Sequence, residues 1–205
     1  MMVTHSRCII LPIIMLFASC ATKKPLFISD IFSAFSRLKI NAVQKFESRN
    51  KSENITPKHL ICIGESIYPN VNQYRLETPL MFRRRENKHF QLETDYYYVS
   101  ADSSVKVVMY QWDDGQAQKN NHLKSENVKE KFSRFQLKFN WLSDHLTKHF
   151  GKPLEKNIEH PKVLAGETFR DEIKWESTNG LHAYLFMLGN DQSGYRQLRL
   201  AIYGN

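Results

Sequence analysis

The feature that most constrains the fold is a long stripe of apolar residues between positions 128 and 150. Its members recur every three or four residues: Val128, Phe132, Phe135, Phe139, Leu142, Leu146 and Phe150. This spacing places them on one face of an α-helix. Ser125 and Glu126 suit the start of that helix. Gly151 and Pro153 suit its end, because glycine accepts the left-handed conformation past the last turn and proline cannot continue a helix.

Strand patterns stand on both sides of this helix. Before it, residues 90–98 alternate apolar and polar side chains, and residues 105–112 are rich in β-formers. With the short segment 101–103 between them, these two runs predict a β-hairpin. After the helix we predict three more strands, at about residues 170–176, 181–188 and 195–203. Asn179-Gly180 supplies a tight hairpin turn between the first two of them.

A second amphipathic pattern, over residues 29–47, predicts a helix ahead of the first strands. The order is therefore helix then strands, repeated once, which indicates an α+β fold with two helices packed on antiparallel β-meander sheets. The halves 29–123 and 124–205 are candidates for an internal α-plus-meander duplication. With 205 residues, 41% of them hydrophobic, the chain suits a single α+β domain over residues 29–205.

The N-terminus carries an apolar run of a different kind, residues 8–19, immediately before Cys20. A transmembrane helix needs about 20 apolar residues, whereas the hydrophobic region of a signal peptide needs about 7 to 15. The run is too short to span a bilayer. We therefore predict a signal peptide over residues 1–19 and a membrane-proximal tether over residues 20–28.

Residues 17–20, Phe-Ala-Ser-Cys, resemble the lipobox of bacterial lipoproteins. The resemblance implies cleavage between Ser19 and Cys20 and attachment of lipid to Cys20, which would anchor the protein stably in a membrane. Ala21 follows the cysteine, and the same resemblance implies transport to the outer membrane of an envelope with two membranes. The alternative is an ordinary secretory signal that is cleaved nearby, with Cys20 incidental.

The net positive charge of the chain favours an anionic partner, such as a membrane surface with anionic lipids. Its formal charge is +8, and removal of residues 1–19 takes away only Arg7, leaving 28 basic against 21 acidic residues. Lys23 and Lys24 follow the anchor directly, where each contributes about 1 kcal/mol of attraction to an anionic membrane surface. Nothing resembles a nucleic-acid-binding motif, so we expect no nucleic-acid partner.

A basic cluster consists of Arg83, Arg84 and Arg85, with Lys88 and His89 close behind. We place it in a loop between strands, where it is a candidate contact for an anion, an anionic lipid or an acidic envelope protein. The simpler interpretation, which such charge runs favour, is a solvated loop.

One segment invites a catalytic hypothesis. Residues 61–67, Ile-Cys-Ile-Gly-Glu-Ser-Ile, resemble the nucleophile block of the GDSL esterases, which implies a strand-to-turn context and Ser66 as the nucleophile. Residues 189–191, Gly-Asn-Asp, are similar to that family's Gly-x-Asn-Asp block. Two departures count against the hypothesis: Glu65 stands where the family has Asp, and no histidine follows Asp191. Without a general base, Ser66 is a weak nucleophile.

Two further candidates have weaker patterns. His145 and His149 lie four residues apart on the long helix, so both can face one metal ion, but no third ligand is indicated and we expect their rings at the edge of the core. Cys62 has apolar neighbours and no cysteine partner in the mature chain, so we expect a buried thiol. We predict neither a metal nor another cofactor.

The sequence thus predicts a lipid-anchored lipoprotein of the bacterial envelope, held at the outer membrane by Cys20, that acts as a binding or interaction module without chemistry of its own. Its expected partners are the membrane and an anionic lipid or an envelope protein. The alternative is a serine esterase or hydrolase that uses Ser66.

Overall fold

The structure, a computed structural model, describes residues 26–27, 31–114, 128–164 and 166–204. Within these ranges there are three α-helices: α1 (Ile31–Ala34), α2 (Ile40–Arg49) and α3 (Val128–Phe150). They also hold eight β-strands: β1 (Glu53–Asn54), β2 (Leu80–Arg85), β3 (Phe90–Tyr98), β4 (Val105–Asp114), β5 (Glu155–Asn157), β6 (Thr168–Glu176), β7 (Leu181–Asn190) and β8 (Tyr195–Gly204). Short 3₁₀ turns lie at Phe35–Arg37, Val71–Gln73 and His160–Lys162.

All eight strands belong to one open sheet in the order β1-β2-β3-β4-β8-β7-β6-β5. Every neighbouring pair is antiparallel. The two meanders, β2 to β4 and β6 to β8, meet where Val107 of β4 stands opposite Tyr203 of β8. The α+β class and the antiparallel meanders are therefore confirmed, and both meanders lie in one sheet. The internal duplication stays a prediction.

The helices lie on one face of the sheet, here called the inner face. Along each strand alternate side chains point to it, so β3, β4, β7 and β8 all contribute apolar residues to one core. Helix α3 closes that core with Phe135, Phe139, Leu142 and Leu146, each at most 2% exposed. Burial of a side chain of this size contributes about 1.5–3 kcal/mol. The apolar stripe of the sequence is thus the surface that holds α3 to the sheet.

The end of α3 follows the predicted rule. The backbone of Gly151 has φ +82°, a left-handed conformation that glycine adopts without strain. Its N–H donates a 2.9 Å hydrogen bond to the carbonyl oxygen of Thr147, which satisfies one of the last free carbonyls of the helix.

The prediction of one continuous helix over residues 29–47 is wrong, and with it the total of two helices. The chain leaves the helical conformation at Leu38 (φ −68°, ψ 122°), between the 3₁₀ turn and α2. There the Leu38 carbonyl oxygen accepts a 2.9 Å hydrogen bond from the N–H of Val105, and the N–H of Ile40 donates to Ser103 at 3.0 Å. The backbone groups that would continue the helix bond instead to the sheet at the start of β4.

The opposite face of the sheet, here called the outer face, is covered at one end by the connection between β1 and β2, residues 55–79. Ile63 and Tyr68 from this connection are buried against a second apolar cluster that includes Tyr97, Met109 and Tyr203. The predicted strands correspond to β3, β4, β6, β7 and β8. Strands β1, β2 and β5, and the covering connection itself, were not predicted.

Candidate functional site

The predicted processing site, Ser19 and Cys20, lies outside the described residues. The first described residues after it are Leu26 and Phe27, which lie against the inner face. The Leu26 carbonyl oxygen accepts a 3.2 Å hydrogen bond from Arg84 Nη2. In the part of the chain that the structure describes, no helix has the length and apolar character needed to cross a membrane.

The three arginines predicted as a loop cluster lie inside strand β2, and this is a correction of the loop assignment. Because successive side chains of a strand point to opposite faces, Arg83 and Arg85 stand on the outer face and Arg84 on the inner face. Arg83 contacts Glu93 of β3 at 2.7 Å. Arg85 donates to the carbonyl oxygens of Asn87 and Lys88. The three side chains do not share one surface, and contact of Arg83 or Arg85 with an anion stays a prediction.

Arg84 belongs to a buried polar cluster beneath α2. Its Nη1 atom lies 2.6 Å from Glu47 Oε2, and the two side chains are 4% and 0% exposed. The Tyr96 hydroxyl donates to Glu47 Oε1 at 2.5 Å, and the Ser52 hydroxyl donates to Oε2 at 2.5 Å. Burial raises the pKa of Tyr96 well above its usual value, and the neighbouring Tyr110 and Glu47 raise it further. The cluster holds α2 on the sheet.

Ser66 and Cys62 are both exposed, in the connection that covers one end of the outer face. The prediction of a buried Cys62 thiol is therefore wrong. The Ile63 side chain packs inward, and the Cys62 side chain points to solvent. Residues 61–64 form no strand, so Ser66 lacks the strand-to-turn context that the esterase resemblance implies.

The two segments that resemble the esterase blocks also lie at opposite ends of the sheet. Tyr68, two residues past Ser66, packs on Tyr203, which pairs with His182. From His182, strand β7 continues for eight residues to Asn190, about 26 Å at a rise of about 3.3 Å per residue, and Asp191 follows that far end. The fold therefore does not bring Asp191 to Ser66.

His145 and His149 lie in an aromatic cluster at the edge of the core, which is where we expected them. The ring of His145 stacks between Phe27 (5.6 Å between centroids) and Trp141 (5.5 Å), and His149 contacts Phe32 at 4.4 Å. Burial lowers the pKa of His145, and the charges of nearby basic residues lower it further. No group of three or more His, Cys, Asp or Glu side chains within the described ranges is arranged to hold a metal ion.

A polar cluster that the sequence did not reveal joins His160, Asp191 and Arg196. His160 Nε2 lies 3.0 Å from the Asp191 carboxylate, and its ring packs against Phe132 and Phe169 at 4.3 and 4.4 Å. Arg196 donates to the same carboxylate. Partial burial alone would raise the pKa of Asp191, but His160 and Arg196 outweigh it and hold that pKa below its usual value. The cluster fastens a 3₁₀ turn to the β7–β8 hairpin.

The outer face carries an unusual carboxyl group, Asp95 of β3. It stands between Met81 of β2 and Met109 of β4. Burial raises its pKa to about 7, the charge of Glu93 adds to this, and Arg199 opposes it. A carboxyl group with this pKa can take up or release a proton at neutral pH.

A cavity in the described structure lies where β4 and β8 separate, and we call it the end cleft. It has a volume of about 210 Å³. Phe35 and Leu181 form its apolar wall, and both are largely buried. Its polar groups come from three distant parts of the chain: Ser33, Ser36, Lys106 and Asn179. Its described lining residues include no acidic side chain, so the end cleft suits an anionic or acceptor-rich group.

Residues of the end cleft are held by regular structure. Gly180 has φ +73° in the β6–β7 turn, a conformation that favours glycine, and its N–H donates to the Ser177 carbonyl oxygen at 3.0 Å. The Lys106 Nζ atom lies 4.3 Å from the centroid of the Tyr74 ring, a cation–π contact that restricts the position of its ammonium group. Sequence patterns could not reveal this site, because its members come together only through the pairing of β4 with β8.

Comparisons of the chain with models of known protein families, with curated protein sequences and with solved structures find no match. No family membership is therefore assigned. The function has to be inferred from the residues and the geometry described above.

Proposed function

We propose that the protein is a lipid-anchored lipoprotein of the bacterial envelope, placed at the outer membrane, whose folded part binds a ligand or partner without chemistry of its own. The observation that carries the binding proposal is the end cleft. It combines an apolar wall with hydroxyl, amide and ammonium groups, which is the usual composition of a ligand site. The lipobox resemblance around Cys20 carries the proposal of the anchor.

The size and charge of the end cleft limit what can bind there. Its volume of about 210 Å³ is below the roughly 300–1,000 Å³ of sites that enclose a whole drug-sized molecule. It therefore suits the end of a larger molecule, such as a carboxylate-bearing chain terminus. Lys106 attracts the negative charge, while the exposed Ser36 hydroxyl can donate a hydrogen bond to an acceptor oxygen.

The binding proposal is tested in intact cells with a photoreactive amino acid in place of Ser36, an exposed residue of the end cleft. The same amino acid in place of Ser133, which is exposed on α3, is the matched control. We expect an adduct that depends on position 36 and disappears when Lys106→Glu is added, because the added carboxylate repels an anionic ligand. Equal adducts at both positions, or an adduct that Lys106→Glu leaves intact, would contradict binding in the end cleft.

The anchor is tested by mass spectrometry of the mature N-terminus and by cell fractionation of Cys20→Ala. We expect acyl chains on Cys20, and we expect Cys20→Ala to leave the membrane fraction or to remain unprocessed. A mature N-terminus at another residue, without acyl chains, would exclude the lipid anchor but leave the end cleft untouched.

A further inference from the structure

The described chain begins in the groove between α2 and α3. Leu26 is held there by Arg84, whose guanidinium also pairs with Glu47 of α2. The Phe27 ring stacks on His145 of α3 at 5.6 Å, with an angle of 17° between the planes. Leu26, the residue to which the N-terminal segment is joined, therefore lies on the side of the sheet that carries the helices.

The length of that connection limits the distance to the membrane. Five residues lie between Cys20 and Leu26, so the two are six residue steps apart. A fully extended chain spans at most about 3.3–3.6 Å per residue, so Cys20 lies within about 20 Å of Leu26. This is about twice the diameter of one helix with its side chains. An acyl chain on Cys20 therefore keeps the bilayer within about 20 Å of Leu26, which lies on the helix-bearing side.

The exposed surface of α3 has residues suited to that position. Leu137 and Trp141 lie one turn apart and are 66% and 48% exposed. The Trp141 ring stacks on His145, and His145 stacks on Phe27. A chain of ring contacts therefore connects Trp141 with the first described residues after Cys20. Tryptophan is enriched at membrane interfaces because its ring is apolar and its N–H is polar.

Helix α2, on the other side of the groove, contributes positive charge. Its exposed side chains include Lys45 and Arg49, while its one acidic residue, Glu47, is wholly buried. The exposed charges of α3 balance one another: Lys129, Glu130, Asp144 and Lys148. The net positive charge beside the groove therefore comes from α2, where each basic residue close to an anionic lipid surface strengthens attachment.

From the position of Leu26, the length of the tether and the character of both helices, we propose that the helix-bearing side of the protein lies on an anionic lipid surface. Leu137 and Trp141 enter the interface, and Lys45 and Arg49 contact the headgroups. This orientation rests on the lipid anchor proposed above. The outer face of the sheet then points away from the bilayer.

The test uses the full mature protein, purified from cells and reconstituted in vesicles of phosphatidylcholine and phosphatidylglycerol with brominated acyl chains. Bromine quenches tryptophan fluorescence only at short range. Trp112 and Trp175 are at most 1% exposed, so the difference between wild type and Trp141→Phe isolates the signal of Trp141. The matched control is Leu60→Trp in the Trp141→Phe background, because Leu60 is 64% exposed in the connection that covers the outer face.

We expect brominated lipid to quench Trp141 strongly, with a blue shift of its emission, and to leave the probe at position 60 unquenched. Quenching of the tryptophan at position 60 but not of Trp141, or quenching of neither, would overturn the orientation. Acyl chains found on Cys20 in the same sample would still support the lipid anchor. If Trp141 is shielded from both bromine and an aqueous quencher, a second protein covers it and the lipid contact is refuted. Absence of acyl chains on Cys20 overturns the anchor and this orientation together.

Discussion

Replacement of Asp95 by asparagine should stabilise the protein at neutral pH and not at acidic pH. The Asp95 carboxyl lies between Met81 and Met109, and burial raises its pKa from an ordinary value of 3.8 to about 7. The folded state therefore favours the protonated form more than the unfolded state does. Between about pH 4 and pH 7 the folded protein binds more protons, so its free energy of unfolding falls as the pH rises.

The size of the effect follows from the shift in pKa. Each unit corresponds to 1.36 kcal/mol, so the change from 3.8 to about 7 corresponds to about 4 kcal/mol. Asp95 is only partly buried, and its side chain can turn towards solvent when it ionises. We therefore expect a destabilisation of about 2–4 kcal/mol above pH 7, with almost none below pH 4. Asparagine has nearly the same shape and no charge, so Asp95→Asn removes this dependence.

The measurement is urea unfolding of wild type and Asp95→Asn at pH 4, 6 and 8, followed by the fluorescence of the buried tryptophans. The variant should gain stability relative to wild type as the pH rises. Asp113→Asn, on the same face of the sheet, controls for the loss of a carboxylate as such. If the difference between wild type and Asp95→Asn is the same at pH 4 and pH 8, the raised pKa of Asp95 is refuted.

Three other results are expected. Arg84→Ala leaves Glu47 buried without its guanidinium partner, so it should lower the free energy of unfolding, measured in urea, by about 3–5 kcal/mol. The control Arg85→Ala removes an exposed side chain and should change that free energy by less than about 0.5 kcal/mol. Similar losses in both variants would contradict the buried pair. Cys62 should react with a thiol reagent in the native protein as fast as in urea, and protection until unfolding would show that the thiol is not exposed. Asp191→Asn should lower the free energy of unfolding at pH 7, because the lowered pKa of Asp191 shows that the folded state favours its charged form. The difference in stability between wild type and variant should vanish as the pH falls below that lowered pKa. A difference that persists in strong acid would refute the explanation.

The long helix and the five longest strands could be predicted from the sequence, because each has a pattern of side chains within its own residues. Helix α3 covers the apolar stripe over Val128–Phe150 and ends before Gly151, as predicted, because a stripe of this spacing lies on one face only in a helix. The five longest strands were also predicted locally: β3 from the alternation of polar and apolar side chains, β4 from its β-forming residues, and the last three with the help of the Asn179-Gly180 turn. Both rules need only residues within a few positions of one another.

Strand β2 shows why other elements could not be predicted. It contains three consecutive arginines, which are typical of a solvated loop. Arg84 is accepted inside the protein only because Glu47, 37 residues earlier, supplies a carboxylate at 2.6 Å. No local sequence pattern indicates that Arg84 has a carboxylate partner so far away in the sequence. The same holds for Leu38. The helical conformation ends there because the Leu38 carbonyl oxygen accepts a hydrogen bond from the N–H of Val105, in a distant strand.

The end cleft depends on topology in the same way, and its position links the two proposals. Ser36 follows closely on the segment that leads to the anchor, while Lys106 and Asn179 come from the two meanders. The end cleft therefore lies at the ends of the strands, beside Phe35 at the margin of the inner face. A bilayer against the helices would cover the inner face and leave the strand ends open to the side. We therefore expect an anchored protein to reach its ligand parallel to the membrane surface, and Ser36 to stay accessible to an aqueous reagent in vesicles that shield Trp141.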